Sequence, residues 1–180
     1  HGRWIAATVG LEWTAVCDRD PGRLQSAARE FPELRTYGDL EELLSDSGVD
    51  LVSIVTPHHT HAPLALACLR AGKHVVVDKA MCLTVAEATA MIEESRARGL
   101  MLAVFHARRR DGNYRAIREL VHGGAIGYPF HIELTAGGFR KPADWWYSRK
   151  ELSGGAFYYW GPHAIDWVLD LVGDRVAGVT

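Results

Sequence analysis

The sequence is poor in cysteine, and the three cysteines it has exclude two classes of small protein. Cys17, Cys68 and Cys82 are an odd number among 180 residues, without the short spacings of a zinc site or a disulfide framework. Such cysteines are usually reduced and pack as small apolar side chains. With 48% hydrophobic residues, the chain is expected to fold around an ordinary hydrophobic core.

Long apolar runs and charge of one sign are also absent. No segment is apolar for long enough to span a bilayer, and the N-terminus does not resemble a signal peptide. We therefore expect a soluble, cytoplasmic protein with no membrane partner. The formal net charge is −2, and the arginines are dispersed except at residues 108–110, so we expect no nucleic-acid partner.

A starting methionine and a complete glycine-rich phosphate loop are missing as well. The chain begins at His1, and it stops in residues 176–180, which are typical of the opening of a strand. We therefore expect both ends of the chain to be truncated.

Strand and helix patterns alternate up to residue 106. Short apolar runs typical of strands occur at residues 12–17, 51–55, 73–77 and 100–105, and helical patterns occur at residues 21–31, 40–44, 62–71 and 85–98. Alternation of this kind predicts an α/β fold with a parallel, doubly wound sheet. Asp20 with Pro21, and Thr84 with Glu87 in a capping box, are expected to start two of the helices.

The pattern changes after residue 106. It consists of a helix at residues 114–121, an alternating strand at 128–137, an aromatic and basic loop at 139–150, and a helix at 154–172. We interpret residues 1–106 as a Rossmann-type dinucleotide-binding domain that lacks its first strand and glycine loop. Residues 107–180 are interpreted as the start of an α+β domain.

Polar side chains follow two of the predicted strands. Thr56 and Pro57 come directly after one strand, and Asp78 and Lys79 come after the next. The carboxyl ends of parallel strands share one edge of the sheet, where ligands of α/β proteins bind. A lysine at that edge can donate to a substrate oxygen or, if partly desolvated, exchange protons near neutrality. The alternative is a solvated surface lysine.

Three histidines, His58, His59 and His61, lie in the turn after Thr56 and Pro57. A metal-dependent hydrolase could use His59 and His61, but the other ligands that a metal needs are not suitably spaced, so we expect no metal site. More often, histidines at a helix start donate to backbone or ligand oxygens.

Asp18 follows the first predicted strand. In a Rossmann domain an acidic residue at this point binds the adenosine ribose about 20 residues after the glycine motif. Gly2 is then interpreted as the last glycine of that motif. The alternative is that Asp18 only caps the turn before Pro21.

Tyr159, His163 and Asp166 are spaced at i, i+4 and i+7 and therefore share one face of the last predicted helix. Such a face could carry a proton relay. The alternative is that Tyr159 and His163 are buried core residues.

Three motifs, taken together, resemble the Gfo/Idh/MocA family of nicotinamide-dependent oxidoreductases: TPHHTHAPLALACLRAGKHVVVDKA, HARRRDGNYRAIRELVHGGAIGYPFHIEL and SGGAFYYWGPHAIDWVLDLVG. The resemblance implies a Rossmann domain followed by a domain with a large, mostly antiparallel sheet. It also implies oxidation or reduction of a sugar, inositol or related polyol, and a homo-oligomer in the full-length protein.

The resemblance also implies roles for individual residues. Lys79 and His163 are the expected catalytic pair, with Tyr159 as a possible helper, and Arg109 and Asp166 are expected near the substrate. The expected cofactor is NAD, with NADP also possible because Arg19 lies beside Asp18. Its binding residues are expected to be Gly2, Asp18, Arg19, Thr56, Pro57, His58, His61, Asp78 and Lys79.

Three positions depart from the family pattern. Ala80 stands where proline usually follows the lysine, Tyr159 where many members have an aspartate, and His58 where asparagine is common. Two further functions remain open within the resemblance, a non-catalytic NAD-binding regulatory protein and an NAD-dependent glycosidase. Without the glycine loop, the 180-residue chain alone is expected to bind the cofactor poorly.

Overall fold

The computed structural model describes residues 1–138, 143–173 and 176–179, and within them the strands form two parallel sheets. In the first sheet, β1 (Ala15–Cys17) pairs with β2 (Arg35–Tyr37). In the second sheet, β4 (His74–Asp78) lies between β3 (Leu51–Ile54) and β5 (Leu102–Phe105). All of these pairings are parallel, as the alternation of strands and helices predicts.

The sheet is divided where a doubly wound fold places its first strand. In the strand order 3-2-1-4-5-6, strands 2 and 3 lie on one side of strand 1, and strands 4 to 6 lie on the other. The pair β1 and β2 matches the first group, and β3, β4 and β5 match the second. The predicted Rossmann fold is therefore confirmed, with its sheet in two parts.

Helices connect these strands, and the predicted caps set their ends. The helices of this half are α1 (Gly2–Ala6), α2 (Pro21–Glu30), α3 (Leu40–Ser45), α4 (His61–Arg70) and α5 (Val85–Arg98). The Asp20 side chain accepts from the first backbone N–H groups of α2, and Thr84 and Glu87 form a full capping box on α5. Both predictions are confirmed.

The core lies between the central strand β4 and the helices α4 and α5. Val75 and Val77 are fully buried, as are Cys68 and Leu69 of α4 and Met91 of α5. Because β4 is buried and has a strand on each side, its position is tightly determined. Its carboxyl end therefore provides a rigid support for Asp78 and Lys79.

The second half of the chain is largely helical in its described residues. It contains α6 (Gly112–His122), α7 (Lys150–Ser153) and α8 (Phe157–Val172). The Tyr114 ring of α6 stacks on the Trp167 ring of α8 at 4.9 Å. Helix α8 begins later than predicted, because Gly154 and Gly155 have φ angles of 83° and 99°, which a right-handed helix does not use.

The predicted strand at residues 128–137 was wrong for this structure. These residues are described without regular structure, and Tyr128 and Phe130 are almost fully exposed. An alternating pattern gives a strand only when another strand supplies hydrogen bonds. No described segment pairs with residues 128–137, and residues 176–179 are not a strand either.

The described residues cover only part of the predicted aromatic and basic loop. Residues 139–142 of the predicted aromatic and basic loop lie outside the described residues, as does residue 180. Among the helices that the structure describes, none combines the length and apolar character that a membrane crossing would need.

Candidate active site at the carboxyl edge of the sheet

The predicted meeting of strand ends is confirmed by the register of the second sheet. Ile54 of β3 lies beside Val77 of β4, and Asp78 lies beside Phe105 of β5. The residues that follow these strands, Thr56, Lys79 and His106, therefore emerge at one edge. The 3₁₀ turn His58–Thr60 continues from the first of these strand ends, and the 3₁₀ turn Ala107–Arg110 continues from the last.

His61 joins two of these strand ends. Its Nδ1 lies 2.7 Å from the carbonyl oxygen of Ala80, and its Nε2 lies 2.8 Å from the carbonyl oxygen of Thr56. The side chain is 0% exposed. Because both nitrogens face backbone carbonyls, neither is free to bind a metal, which argues against the hydrolase interpretation. In the described part of the chain, no group of three or more potential ligands is placed to hold a metal ion.

His58 attaches the same turn to the second half of the chain. Its Nδ1 lies 2.7 Å from the carbonyl oxygen of Ser153, and its ring packs edge-on against Trp146 at 4.9 Å. Burial lowers the pKa of His58, so the ring is neutral at pH 7. Like His61, it supports the turn from within.

Lys79 lies in an aromatic environment. Its Nζ donates to the carbonyl oxygen of Tyr159 at 3.0 Å and lies 4.4 Å from the centre of the same residue's ring. The Tyr147 ring centre is 5.9 Å from Nζ. Burial, together with the nearby Arg108, lowers the pKa of Lys79, while Asp78 acts in the opposite direction. Lys79 is therefore not the solvated surface lysine of the alternative interpretation.

His163 faces the same place from α8 and is only 6% exposed. Burial, followed by the positive charge of Lys79, lowers the pKa of His163 to about 4. Its Nδ1 is buried and has no hydrogen-bond partner in the part of the chain that the structure describes. At pH 7 His163 is thus a neutral imidazole with a nitrogen available to a ligand.

The proposed relay along α8 is not formed. Tyr159 contacts Lys79, whereas both oxygens of Asp166 accept hydrogen bonds from Arg109, at 2.7 and 2.8 Å. No hydrogen bond links Tyr159, His163 and Asp166 to one another within the described residues. The shared helical face was predicted correctly, but Arg109 occupies the carboxylate on which the relay depended.

The Arg109–Asp166 ion pair also changes the picture of the substrate site. Each group was predicted to lie near the substrate, and the structure brings both to the edge that carries Lys79. Their bidentate contact uses the guanidinium edge and both carboxylate oxygens, so they hold each other in place.

An open cavity of about 480 Å³ lies between this edge and α8. Lys79, His106 and Asp166 form its polar part. The remaining lining is Ala80, Met81, Val104, Phe157, Tyr158, Pro162, Ile165 and Leu169. A pocket with one polar end and apolar walls is typical of a small-molecule site.

Sequence reasoning missed Tyr147 and His106. His106 directly follows β5, so the rule that places Lys79 at the edge also places His106 there. Tyr147 comes from the 3₁₀ turn Trp146–Ser148, and no sequence signal relates this turn to Lys79.

The residues predicted for the adenosine end lie near β1. One oxygen of Asp18 accepts from the backbone N–H of Asp20, and the other faces Arg23 at 3.3 Å, so the local capping interpretation holds in part. Arg19 is exposed. A Cβ on Gly2 would lie 2.3 Å from the Trp13 ring, so a larger residue would not fit at this position, and the motif role of Gly2 stays a prediction.

Two family models together match most of the chain. The model described as an oxidoreductase family with an NAD-binding Rossmann fold matches residues 1–106. The model of the GFO/IDH/MocA C-terminal domain matches residues 114–180.

Individual proteins give the same result. The chain is 32% identical over 165 residues to the myo-inositol 2-dehydrogenase of Thermotoga maritima, which covers 92% of this chain and 48% of that protein. It is 30% identical over 152 residues to the scyllo-inositol 2-dehydrogenase (NADP(+)) of Bacillus subtilis, with coverage of 84% and 42%. The crystal structure of an NAD-binding protein from Listeria innocua matches with a TM-score of 0.87 at 33% identity, covering 96% of this chain and 50% of that one. The chain spans about half the length of the curated relatives it matches.

Proposed function

We propose, from the premise that this chain belongs to the GFO/IDH/MocA oxidoreductase family and carries its NAD-binding Rossmann domain, that the whole protein is a polyol dehydrogenase. It would transfer hydride between a nicotinamide cofactor and a secondary hydroxyl or ketone of an inositol, sugar or related polyol. The inositol dehydrogenases among its relatives support this substrate class.

The observation that carries the proposal is the approach of Lys79 to α8 one turn before His163, where its Nζ donates to the carbonyl oxygen of Tyr159. The positive charge of Lys79 is close enough to lower the pKa of His163, and Lys79 lines the cavity beside α8. One group is a cationic donor and the other is a neutral base. Oxidation of an alcohol needs both, because the hydroxyl oxygen must be held while its proton leaves.

The roles of the two residues follow from their states. Lys79 donates a hydrogen bond to the reacting oxygen of the substrate and stabilises the negative charge that develops there. Neutral His163 accepts the hydroxyl proton at its unpartnered ring nitrogen. In the reverse direction, the same nitrogen returns the proton to the oxygen. The nicotinamide, when bound, supplies or accepts the hydride.

Two sets of residues fit a dinucleotide. Thr56, Pro57, Asp78 and Lys79 lie at the sheet edge where a nicotinamide would meet the substrate, while His58 and His61 support that turn from behind. Asp18, Arg19 and Gly2 lie at the adenosine end. The Asp18 carboxylate favours NAD, since it would repel a 2′-phosphate, and the exposed Arg19 leaves NADP possible.

The domain boundary, location and assembly belong to the same proposal. We place the Rossmann domain at residues 1–106 and the substrate domain from residue 107. The three free cysteines favour a reducing compartment such as the cytoplasm. The family resemblance favours a homo-oligomer for the full-length protein.

The experiment is a turnover assay of the full-length protein with NAD and with NADP against a panel of inositols and sugars. The proposal predicts reduced cofactor in amounts equal to the ketone product. Stabilisation by NAD without turnover would identify a regulatory binding protein instead. Release of free sugar from glycosides without net reduction of the cofactor would identify a glycosidase.

A further inference from the structure

We propose that His106 is a proton-relay residue, which carries the substrate proton between His163 and solvent. This inference rests on the proposed dehydrogenase function. It concerns the path that the proton takes after it leaves the substrate.

The position of His106 is the first argument. It follows β5 directly, at the edge where Lys79 follows β4, and both side chains line the cavity together with Asp166. His106 therefore shares the cavity with Lys79, on a strand end fixed by its pairing with β4.

The hydrogen bonding of His106 is the second argument. Its Nδ1 is buried and has no hydrogen-bond partner among the described residues, and the same is true of His163 Nδ1. A buried nitrogen without a partner costs free energy. Two such nitrogens on neighbouring rings are expected where the partner is a substrate, a water molecule or a proton in transit.

The geometry with His163 is the third argument. The two ring centres are 6.0 Å apart and the rings are nearly perpendicular, a separation that a single water molecule can bridge. His163 is 6% exposed, whereas the His106 side chain is 26% exposed. His106 thus leads from the buried base toward the surface.

The charges around His163 favour release of the proton that it takes from the substrate. Asp166 Oδ2 lies 3.7 Å from His106 Nδ1 and is held there by Arg109. Lys79 and Arg108 disfavour a proton on His163. Arg108 itself lies over the Trp160 ring at 5.0 Å. A proton that His163 takes from the substrate is therefore readily given up again.

The proton moves in successive steps, and in each step one bond breaks as another forms. The substrate O–H bond breaks as an N–H bond forms on His163, while the hydride leaves with the cofactor. The His163 N–H bond then breaks as an O–H bond forms on the bridging water, and another O–H bond of that water breaks as an N–H bond forms on His106. His106 finally releases the proton to water, and both imidazoles are neutral again for the next turnover.

The test uses His106→Ala and His106→Asn in the full-length protein, with His131→Asn as control because His131 is an exposed histidine distant in sequence from this edge. We expect kcat to fall by about 100-fold in both variants, with KM little changed and a larger solvent isotope effect. Added imidazole should restore turnover to His106→Ala, which a structural role would not allow.

Different outcomes separate the two proposals. An active wild-type enzyme with kcat unchanged in both His106 variants would overturn the relay alone. Loss of kcat with no rescue by imidazole and no change in the solvent isotope effect would also overturn it. A wild-type protein without dehydrogenase activity on the polyol panel would overturn the proposed function. Thermal unfolding of each variant shows that the fold is retained.

Discussion

At the residue scale, the chemistry of Lys79 depends on which groups surround its ammonium. Burial and Arg108 disfavour the charge, and Asp78 favours it. The Tyr159 carbonyl and ring lie on one side of Nζ. The family resemblance placed Tyr159 where an aspartate is common and suggested that its phenol could relay a proton. The contact seen here uses the ring face and the main chain instead.

This contact leads to a prediction for two substitutions at Tyr159. Tyr159→Phe keeps the ring over Lys79 and should leave turnover near the wild-type value. Tyr159→Leu removes a cation–π contact of about 1 kcal/mol, so turnover should fall about fivefold. The measurement is kcat with a polyol that the wild-type enzyme oxidises. An equal loss in both variants would show instead that the phenol hydroxyl participates.

His163 gives a second prediction, because its low pKa links stability to pH. The pKa is about 4 in the folded protein and 6.5 is its ordinary value, so the unfolded chain binds more protons between these values. The free energy of unfolding should therefore fall as the pH drops from about 6.5 to about 4. No further loss from this group is expected below its folded pKa.

Urea unfolding at pH 7 and pH 4.5 tests this for the wild type and His163→Gln. The wild type should lose more stability than the variant between the two pH values, since glutamine does not titrate. The other histidines are common to both proteins, so their contribution cancels. Equal losses would mean that His163 is accessible to protons in the folded state.

The sequence identified some of these residues and not others, for physical reasons. Lys79 and Thr56 follow strands, and strand ends of a parallel sheet converge by geometry. His163 lies in a motif of recognisable spacing. The pairing of Arg109 with Asp166 and the approach of Tyr147 to Lys79 depend on how distant segments pack. No local pattern encodes such packing.

At the scale of elements, the strands β3 and β4 are held in register at their carboxyl ends by His61. Its two ring nitrogens face the backbone carbonyls of Ala80 and Thr56. This arrangement explains why the fully buried first residue of α4 is a histidine. It also keeps the Thr56 turn close to Lys79.

Replacement of His61 should therefore cost stability, while replacement of its neighbour should not. His61→Leu removes the ring between these carbonyls and leaves the one that accepts its N–H without that donor, so the free energy of unfolding should fall by about 1 to 3 kcal/mol. His59 is exposed, so His59→Leu should change it by less than about 0.5 kcal/mol. Urea unfolding measures both. Similar small losses in the two variants would contradict the bridging role.

Element boundaries were predictable where a local cap determines them. The capping box of Thr84 and Glu87 and the aspartate cap before α2 depend only on neighbouring residues. The alternating residues 128–137 show the opposite case. A strand needs a partner strand, and the alternating pattern alone does not provide one.

At the scale of the whole molecule, packing of α8 against α6 brings His163 to the sheet edge. Tyr114 donates to Asp170 and stacks on Trp167, and Arg118 binds Asp170 at 2.9 Å. These contacts join the helix that carries the proposed base to the segment that follows β5. The two halves of the candidate site therefore come from the two matched domains, as the order of the motifs predicted.

The central claim is that the ammonium of Lys79 and the imidazole of His163 together handle the substrate proton. The most direct test is kcat of the full-length Lys79→Met variant, measured with NAD affinity and thermal unfolding, with the exposed Lys150→Met as control. We predict that Lys79→Met loses nearly all turnover while its fold is retained, and that Lys150→Met behaves as wild type. Wild-type turnover in Lys79→Met would contradict this account.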